Sequence, residues 1–437
     1  MQRVLVFAVA CLGLLALARL PGGNADDLSG FAAIRRAGRP APDYVPGQVL
    51  VGFASAAEQA AVERAAREIG ARSAWKSPYG GHYVVNLPAD VSVADAVASL
   101  RAMREVEYAE PNYVARAFLA PNDPFYDRQW NMKLINAERT WDIQKGSSEV
   151  VVAVLDTGVA FEDFGPYRKA PDWGSTRFVQ GFDFENGDSH ANDDNFHGTH
   201  VASTIAEATD NAVGVAGLAF GCALMPVKVL DAEGFGSFSV VSDGIGYAVA
   251  NGAKVINLSL GGEFESQTLK AAIDRAVTAG VTVVAAAGNE STSTISFPAA
   301  FPNVIAVGAV DARKRRAPYS NTGSALDVVA PGGDIDRDDD DNGRPDGILQ
   351  QTINPFVSLP LRLEQFVYLY VDGTSQATPH VAALAALLYS QGIKSPAAIQ
   401  KAIESTAEDL GAAGRDDEYG HGLIRPAEAL KGLGINK

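Results

Sequence analysis

The hydrophobic pattern changes character once along the chain, near residue 120. Before that point, residues 46–116 alternate short apolar strands with two helices. Val49 to Phe53 reads as a strand, and Ala56 to Ile69 as an Ala/Glu/Arg-rich helix stopped by Gly70. His82 to Leu87 reads as a second strand ended by Pro88, with a short one about Ser73 to Trp75 ahead of it. Val93 to Met103 follows as a helix and Val106 to Val114 as the last strand. Strand–helix–strand–strand–helix–strand is the order of the split βαβ arrangement, so a small α+β, ferredoxin-like unit is expected. A polar stretch closing with Pro121-Asn122-Asp123-Pro124 leads out of it.

From about residue 130 the apolar runs become continuous. Val150 to Leu155, Val227 to Leu230, Val255 to Leu260, Val281 to Ala286 and Val304 to Val310 are rich in β-branched residues and lack alternation. Such runs suit strands covered on both faces, as in a parallel sheet with crossover helices. The helical pattern recurs at Val201–Ala208, Val240–Ala250, Gln267–Ala279, Gln376–Ser390 and Pro396–Ala407. Residues 122–433 are therefore expected to form an α/β domain, a mainly parallel sheet flanked by helices, with its chemistry at the carboxyl ends of strands. An Asp-rich insertion, 332–371, interrupts it.

The amino terminus fits neither pattern. Gln2-Arg3 precedes an apolar run from Val4 to Ala18, and Gly23-Asn24-Ala25 supplies a small-x-small end. The run is shorter than the roughly 20 residues of a membrane span, so residues 1–25 read as a signal peptide and the product as secreted. Cys11 leaves with that segment, and Cys222 stands alone in an apolar stretch, a small hydrophobe. An exported chain without disulfides needs another source of stability. The net charge of −16 argues against nucleic acid as a partner and leaves carboxylates available for calcium.

Three polar segments fall where chemistry is expected. Asp156 ends the run Val150–Leu155 and precedes Thr157-Gly158; it can orient a histidine or cap a turn. His197-Gly198-Thr199-His200-Val201 opens a helix, and its His-x-x-His spacing lacks the i, i+4 pair of zinc-protease helices. Gly373-Thr374-Ser375-Gln376-Ala377-Thr378-Pro379-His380 opens another, with Ser375 either a helix cap or a nucleophile and Pro379 placed in the first turn. Asp156, His197 and Ser375 stand in the order Asp, His, Ser.

Together the segments around Asp156, His197 and Ser375 resemble the three signatures of the subtilisin family, and 46–116 resembles that family's inhibitory propeptide. The resemblance implies a secreted serine endopeptidase made as a self-processing zymogen, monomeric, acting on protein or peptide substrates. It implies Ser375 as nucleophile, His197 as general base and acid, Asp156 as its orienting partner, and structural roles for His200 and His380. Ala285-Ala286-Ala287-Gly288-Asn289 resembles the oxyanion-hole segment, with Asn289 as donor. Gly234-Phe235-Gly236 and Ser259-Leu260-Gly261 match the segments that hold the peptide as an added strand, and Ser296 would help wall the primary pocket. Small walls imply broad specificity; Glu290 beside them would also tolerate a basic side chain. The propeptide, cut between Arg116 and Pro121, would act as an inhibitor in the cleft.

The resemblance also implies structural calcium, held by Asp123, by the side chain of Asn211, by carbonyls of Thr209, Val213 and Val215, and by Asp163. A second candidate comes from the residues alone. Asp338-x-Asp340-x-Asn342-Gly343-x-x-Asp346 alternates oxygen ligands before a turn glycine, without the glutamate that ends an EF-hand loop; a disordered acidic loop reads equally well. Beside the broad-specificity endopeptidase stand two alternatives, a catalytically silent relative acting as a calcium-dependent binding module and a narrow-specificity processing protease. The second would need acids lining the pocket, and Ser259-Leu260-Gly261 has none.

Overall fold

A computed structural model describes residues 44–53, 59–114, 120–339, 341–356 and 362–431. The expected signal peptide, Asp340 and most of the expected Arg116–Pro121 cutting region lie outside the described residues. The chain divides into two compact units, Met1–Ala117 and Phe118–Lys437.

In the first unit the elements run β1 (Tyr44–Phe53), α1 (Gln59–Glu68), β2 (Ser73–Lys76), β3 (Tyr83–Asn86), α2 (Val93–Arg101) and β4 (Val106–Tyr113). The sheet is antiparallel in the order β2-β3-β1-β4. Val49, Val51, Val85 and Ala109 meet Ala96, Val97 and Leu100 of α2 in one small core. Ser92 caps α2, accepting from the Asp95 N–H at 3.0 Å.

The second unit is built on a parallel sheet. Its strands are β5 (Val151–Asp156), β6 (Arg177–Phe178), β7 (Phe182–Asp183), β8 (Ala223–Lys228), β9 (Val255–Leu258), β10 (Thr282–Ala286), β11 (Val304–Val310) and β12 (Val328–Pro331). The order is β12-β11-β10-β9-β5-β8-β6, with β7 also on β8, and every pairing is parallel. All residues of β5 and of β8 to β12 are buried, which is why their sequences show no alternation. The helices packing this domain include α5 (His197–Ala206), α6 (Phe238–Ala250), α7 (Gln267–Thr278), α8 (Thr374–Gln391) and α9 (Pro396–Thr406), numbered after two short ones, α3 (Trp130–Leu134) and α4 (Ala137–Ile143).

Three local readings are corrected. Strand β8 runs Ala223–Lys228, earlier than Val227–Leu230: Pro226, which reads as a stop in the sequence, is buried within the strand. Pro379 is the sixth residue of α8, not a first-turn residue. The 332–371 insertion is not merely an acidic loop: β13 (Ile348–Ile353) and β14 (Phe366–Val371) form an antiparallel hairpin within it. Strand β13 is buried throughout, glutamines included. Gln351 Nε2 donates to Glu207 at 3.1 Å and its Oε1 accepts the Asp172 N–H at 2.7 Å, satisfying the amide that hid this strand in the sequence.

Candidate active site

Asp156 is the last residue of β5, His197 the first of α5, and Ser375 the second of α8. Helices α5 and α8 pack against one another, so both amino termini meet the carboxyl edge of the sheet. Close approach is needed at Gly198, where a Cβ would run into the Gly158 carbonyl oxygen.

Asp156 is fully buried, and its Oδ1 accepts from His197 Nδ1 at 2.7 Å and from the Thr157 N–H at 2.8 Å. Oδ2 is buried without a partner. Burial pulls the His197 imidazole down, but the charge and hydrogen bond of Asp156, with Asp193 behind, outweigh it and set the group above its ordinary value. With Nδ1–H engaged by the carboxylate, Nε2 is left as the basic nitrogen.

The Ser375 hydroxyl donates to the Ser259 carbonyl oxygen at 3.1 Å, and Ser259 Oγ donates to the Ser375 carbonyl oxygen at 2.8 Å. The second bond has a cause in the sequence. Pro379 has no N–H to give the carbonyl four residues before it, which is that of Ser375, and Ser259 supplies the missing donor.

Asn289 follows β10. Its Oδ1 accepts from the Thr374 N–H at 2.9 Å and from Thr374 Oγ1 at 2.8 Å. Both contacts are donors, which fixes the amide and leaves Nδ2 as the free end, beside Gly373. Ser296, whose N–H donates to the Ala287 carbonyl at 2.9 Å, closes on the same segment. A Cβ on Gly288 would lie 2.5 Å from Ser296 Oγ and 2.6 Å from Glu290 Oε2, and Gly261 backs onto Ser296 and Phe297. Small residues here are a packing requirement. Gly234 has φ 83° in a turn held by Asp231 Oδ1, which accepts the Phe235 N–H at 2.8 Å; the Phe235 ring stands 74% exposed.

His200 and His380 are fully buried, and burial lowers both to about 4, so they are neutral. His200 Nε2 donates to the Ile348 and Leu369 carbonyls at 3.0 and 3.2 Å, tying the hairpin to α5. His380 bonds the Gln376 carbonyl and Asn131.

The calcium candidates separate. Around Asn211 the structure gathers Asp123, buried with Oδ1 unpartnered, and Asp172, whose Oδ1 accepts from Asn211 Nδ2 at 2.9 Å. Burial, with the Asp123 charge, raises the Asp172 carboxyl to about 6. The second acid at this loop is thus Asp172, not Asp163. Asp163 is exposed and caps its own turn, accepting the Lys169 N–H at 2.8 Å. Pro171-Asp172-Trp173, an acid between two apolar residues, was the trace left in the sequence. Thr209 Oγ1 donates to the Glu207 carbonyl, while Val213 and Val215 flank Gly214 with their N–H groups on Asn211 Oδ1 and Asp172 Oδ2.

In the insertion, Asp338 accepts the N–H groups of Asn342 and Gly343 at 2.9 and 2.8 Å, and Asp346 Oδ2 accepts that of Asp339 at 2.7 Å. Both Asp338 oxygens accept main-chain N–H groups of its own turn. Among the described residues no group of three or more His, Cys, Asp or Glu side chains converges in a way that could hold a metal ion.

The chain is similar to known proteins along both of its units. Residues 147–422 match the Subtilase family and residues 32–112 the Fervidolysin N-terminal prodomain. The chain is 39% identical to the thermophilic serine proteinase of Bacillus sp. (strain AK1), over 86% of each chain. It is 38% identical to thermitase of Thermoactinomyces vulgaris, over 67% of this chain and 94% of thermitase. Among solved structures, a protease from Pseudoalteromonas arctica PAMC 21717 superposes with a TM-score of 0.63 at 34% identity, covering 72% of this chain and 99% of that one. The order of strands, the two helix starts and these relatives lead to one conclusion: the chain belongs to the subtilase family of subtilisin-like serine endopeptidases, with a fervidolysin-like prodomain ahead of its catalytic domain.

Proposed function

We propose that the chain is exported as a zymogen, cuts its own prodomain and matures into a broad-specificity endopeptidase that uses Asp156, His197, Ser375 and Asn289. The observation that carries this reading is the 2.7 Å bond between buried Asp156 and His197 Nδ1, which leaves Nε2 as the base at the start of α5, the helix packed against α8 that bears Ser375. In the acylation step His197 Nε2 takes the Ser375 proton as Oγ adds to the scissile carbonyl carbon. The carbonyl π pair moves onto oxygen, where Asn289 Nδ2 and the Ser375 N–H stabilise it. Collapse returns that pair, breaks the C–N bond and passes the proton from His197 to the leaving amine. Water then repeats the sequence on the acyl-enzyme. Asp156 stays ionised and stabilises the imidazolium.

Segments 234–236 and 259–261 would hold the substrate main chain on two sides, leaving side chains little selected. Calcium is proposed at the Asp123, Asp172 and Asn211 cluster, with the Thr209, Val213 and Val215 carbonyls. A buried carboxylate oxygen without a partner beside a second desolvated acid fits a hard divalent cation, which would stabilise the fold and take no part in the chemistry. Nothing in the site favours a catalytically silent role. The test is casein cleavage and fluorophosphonate labelling of the secreted protein beside Ser375→Ala. Label on Ser375 and activity lost in the variant are expected; an active Ser375→Ala, or a parent that neither cuts nor labels, overturns the reading.

A further inference from the structure

Behind the proposed triad lies a second buried acid that this chemistry leaves unused. Asp193 is 0% exposed and accepts five hydrogen bonds. Its Oδ1 takes Thr157 Oγ1 at 2.9 Å and the N–H groups of Asn195 and Phe196 at 3.0 and 3.2 Å. Its Oδ2 takes the Thr199 N–H at 2.9 Å and Thr199 Oγ1 at 2.6 Å. The direction of the hydroxyl protons is determined. Thr157 Oγ1 itself accepts the Gly198 N–H at 2.9 Å, and Thr199 Oγ1 accepts the Ala160 N–H at 3.0 Å, so each turns its own proton to Asp193. Burial raises the Asp193 carboxyl above its ordinary value and the hydrogen bonds and Lys228 oppose that; with five hydrogens converging on it and no acceptor for a proton of its own, it serves as an acceptor.

These bonds connect the two residues that matter. Thr157 follows Asp156, and its N–H holds the Asp156 oxygen that orients His197. Asn195 and Phe196 form the turn into His197, where Phe196 has φ 149°, a strained value for a non-glycine that persists only when its surroundings over-determine it. From the other side, Lys228 of β8, 1% exposed, donates to the Thr157 carbonyl at 2.8 Å, the Leu230 carbonyl at 2.9 Å and Asp194 at 2.6 Å. Thr157 is thereby clamped by its hydroxyl through Asp193 and by its carbonyl through Lys228.

We propose that Asp193 is the positioning residue of this active site, locking the strand end bearing Asp156 to the helix start bearing His197 and adding its charge to the support of the imidazolium. The inference rests on the triad reading above. The charges around His197 are Asp156 from β5, Asp193 from the turn before α5, and Lys228 of β8 paired with Asp194; His200, further along α5, is neutral. Removing the Asp193 charge takes away one of the two carboxylates that favour the imidazolium, so it loses its proton more readily.

The test is the pH dependence of kcat/KM on a soluble peptide substrate for the parent, Asp193→Asn, Thr157→Val and Thr157→Ser, each with its melting temperature. Asp193→Asn should lower kcat by about tenfold or more at nearly unchanged KM, the pattern of lost alignment. It should also move the acid limb to lower pH by about half a unit. Thr157→Val keeps the charge, so it should lower kcat without moving that limb, and Thr157→Ser should restore the parent rate. If Asp193→Asn does not fold, the Val and Ser pair carries the test. A folded Asp193→Asn with parental kcat and acid limb, or equal kcat in the Val, Ser and parent enzymes, overturns the proposal. A parent without activity or fluorophosphonate label would instead sink the triad reading on which it stands.

Discussion

Ser259 and Ser375 hold each other by two hydrogen bonds, each hydroxyl donating to the other residue's carbonyl oxygen, at 2.8 and 3.1 Å. One bond repairs the gap left by Pro379 and fixes the first turn of α8. The other holds the proposed nucleophile at rest, and it must break for Oγ to turn to His197. Ser259→Ala removes the first and leaves the second, which uses only a main-chain oxygen. The Ser375 carbonyl then loses a buried partner, at a cost of about 1–3 kcal/mol. A lower melting temperature with fluorophosphonate labelling retained is expected; an unchanged melting temperature would show that the donor is not needed.

Asn289 has one fixed end and one free end. Asn289→Leu removes the free Nδ2 and the acceptor for Thr374 together. The loss in kcat should be on the order of a hundred- to a thousandfold, the magnitude known for such a donor in subtilisin itself, with KM little changed. Thr374→Ser, which keeps a hydroxyl on Oδ1, should stay near the parent. Steady-state kinetics on a peptide amide decide it, and a Leu variant within threefold of the parent would assign the oxyanion elsewhere.

The prodomain has its own core and sheet. Residues 46–116 added separately should therefore slow the mature enzyme, the tail Glu110-Pro111-Asn112-Tyr113-Val114-Ala115-Arg116 occupying the cleft as a product does. Initial rates against prodomain concentration measure this. No inhibition at large excess would give the unit another task.

Calcium should act through the Asp172 cluster. Chelation of the fluorophosphonate-blocked enzyme should lower its melting temperature, since a ligand at a hundredfold its Kd stabilises by about 2.7 kcal/mol. Asp172→Asn or Asn211→Ala should remove the chelator response and the calcium binding heat. Asp340→Ala with Asp346→Ala should leave that response in place. A parent curve indifferent to chelator rules out the site.

Asp327 offers a stability test by pH. Burial raises its carboxyl to about 7, with the Glu404 charge adding to the effect, while Oδ2 accepts the Ala306 N–H at 2.8 Å. The unfolded chain ionises this group near its ordinary value, so between about pH 4 and 7 the folded state binds the extra proton. Its contribution is present at low pH and lost as pH rises through 7. Asp327→Asn should raise the melting temperature at pH 8 and leave it unchanged at pH 4.5, read by calorimetry on blocked enzyme.

Where burial is uniform, the sequence was legible. Val304–Val310 was bounded to the residue, and the element order of the first unit was readable throughout, because apolar runs and glycine or proline stops are local properties. Polar residues inside the fold were not legible. Gln350 and Gln351 concealed β13, since each is tolerated only through a partner distant in sequence, and Pro226 concealed the first residues of β8. Helix α5 showed its apolar pattern only from Val201, but the segment His197–Val201 was read as opening it, and it begins at His197.

By itself, the sequence determined the fold class, the family and the residues in the three signatures, for these reside in the order and identity of short segments. The tertiary structure decided which acid stands where. Asp163 and Asp172 are both aspartates after Asp156, yet only Asp172 reaches Asn211. Asp193 and Asp194 are neighbours, yet one receives five donors and the other the buried Lys228 ammonium. A carboxylate's role depends on its desolvation and on the donors that converge on it, and those come from segments that only folding brings together.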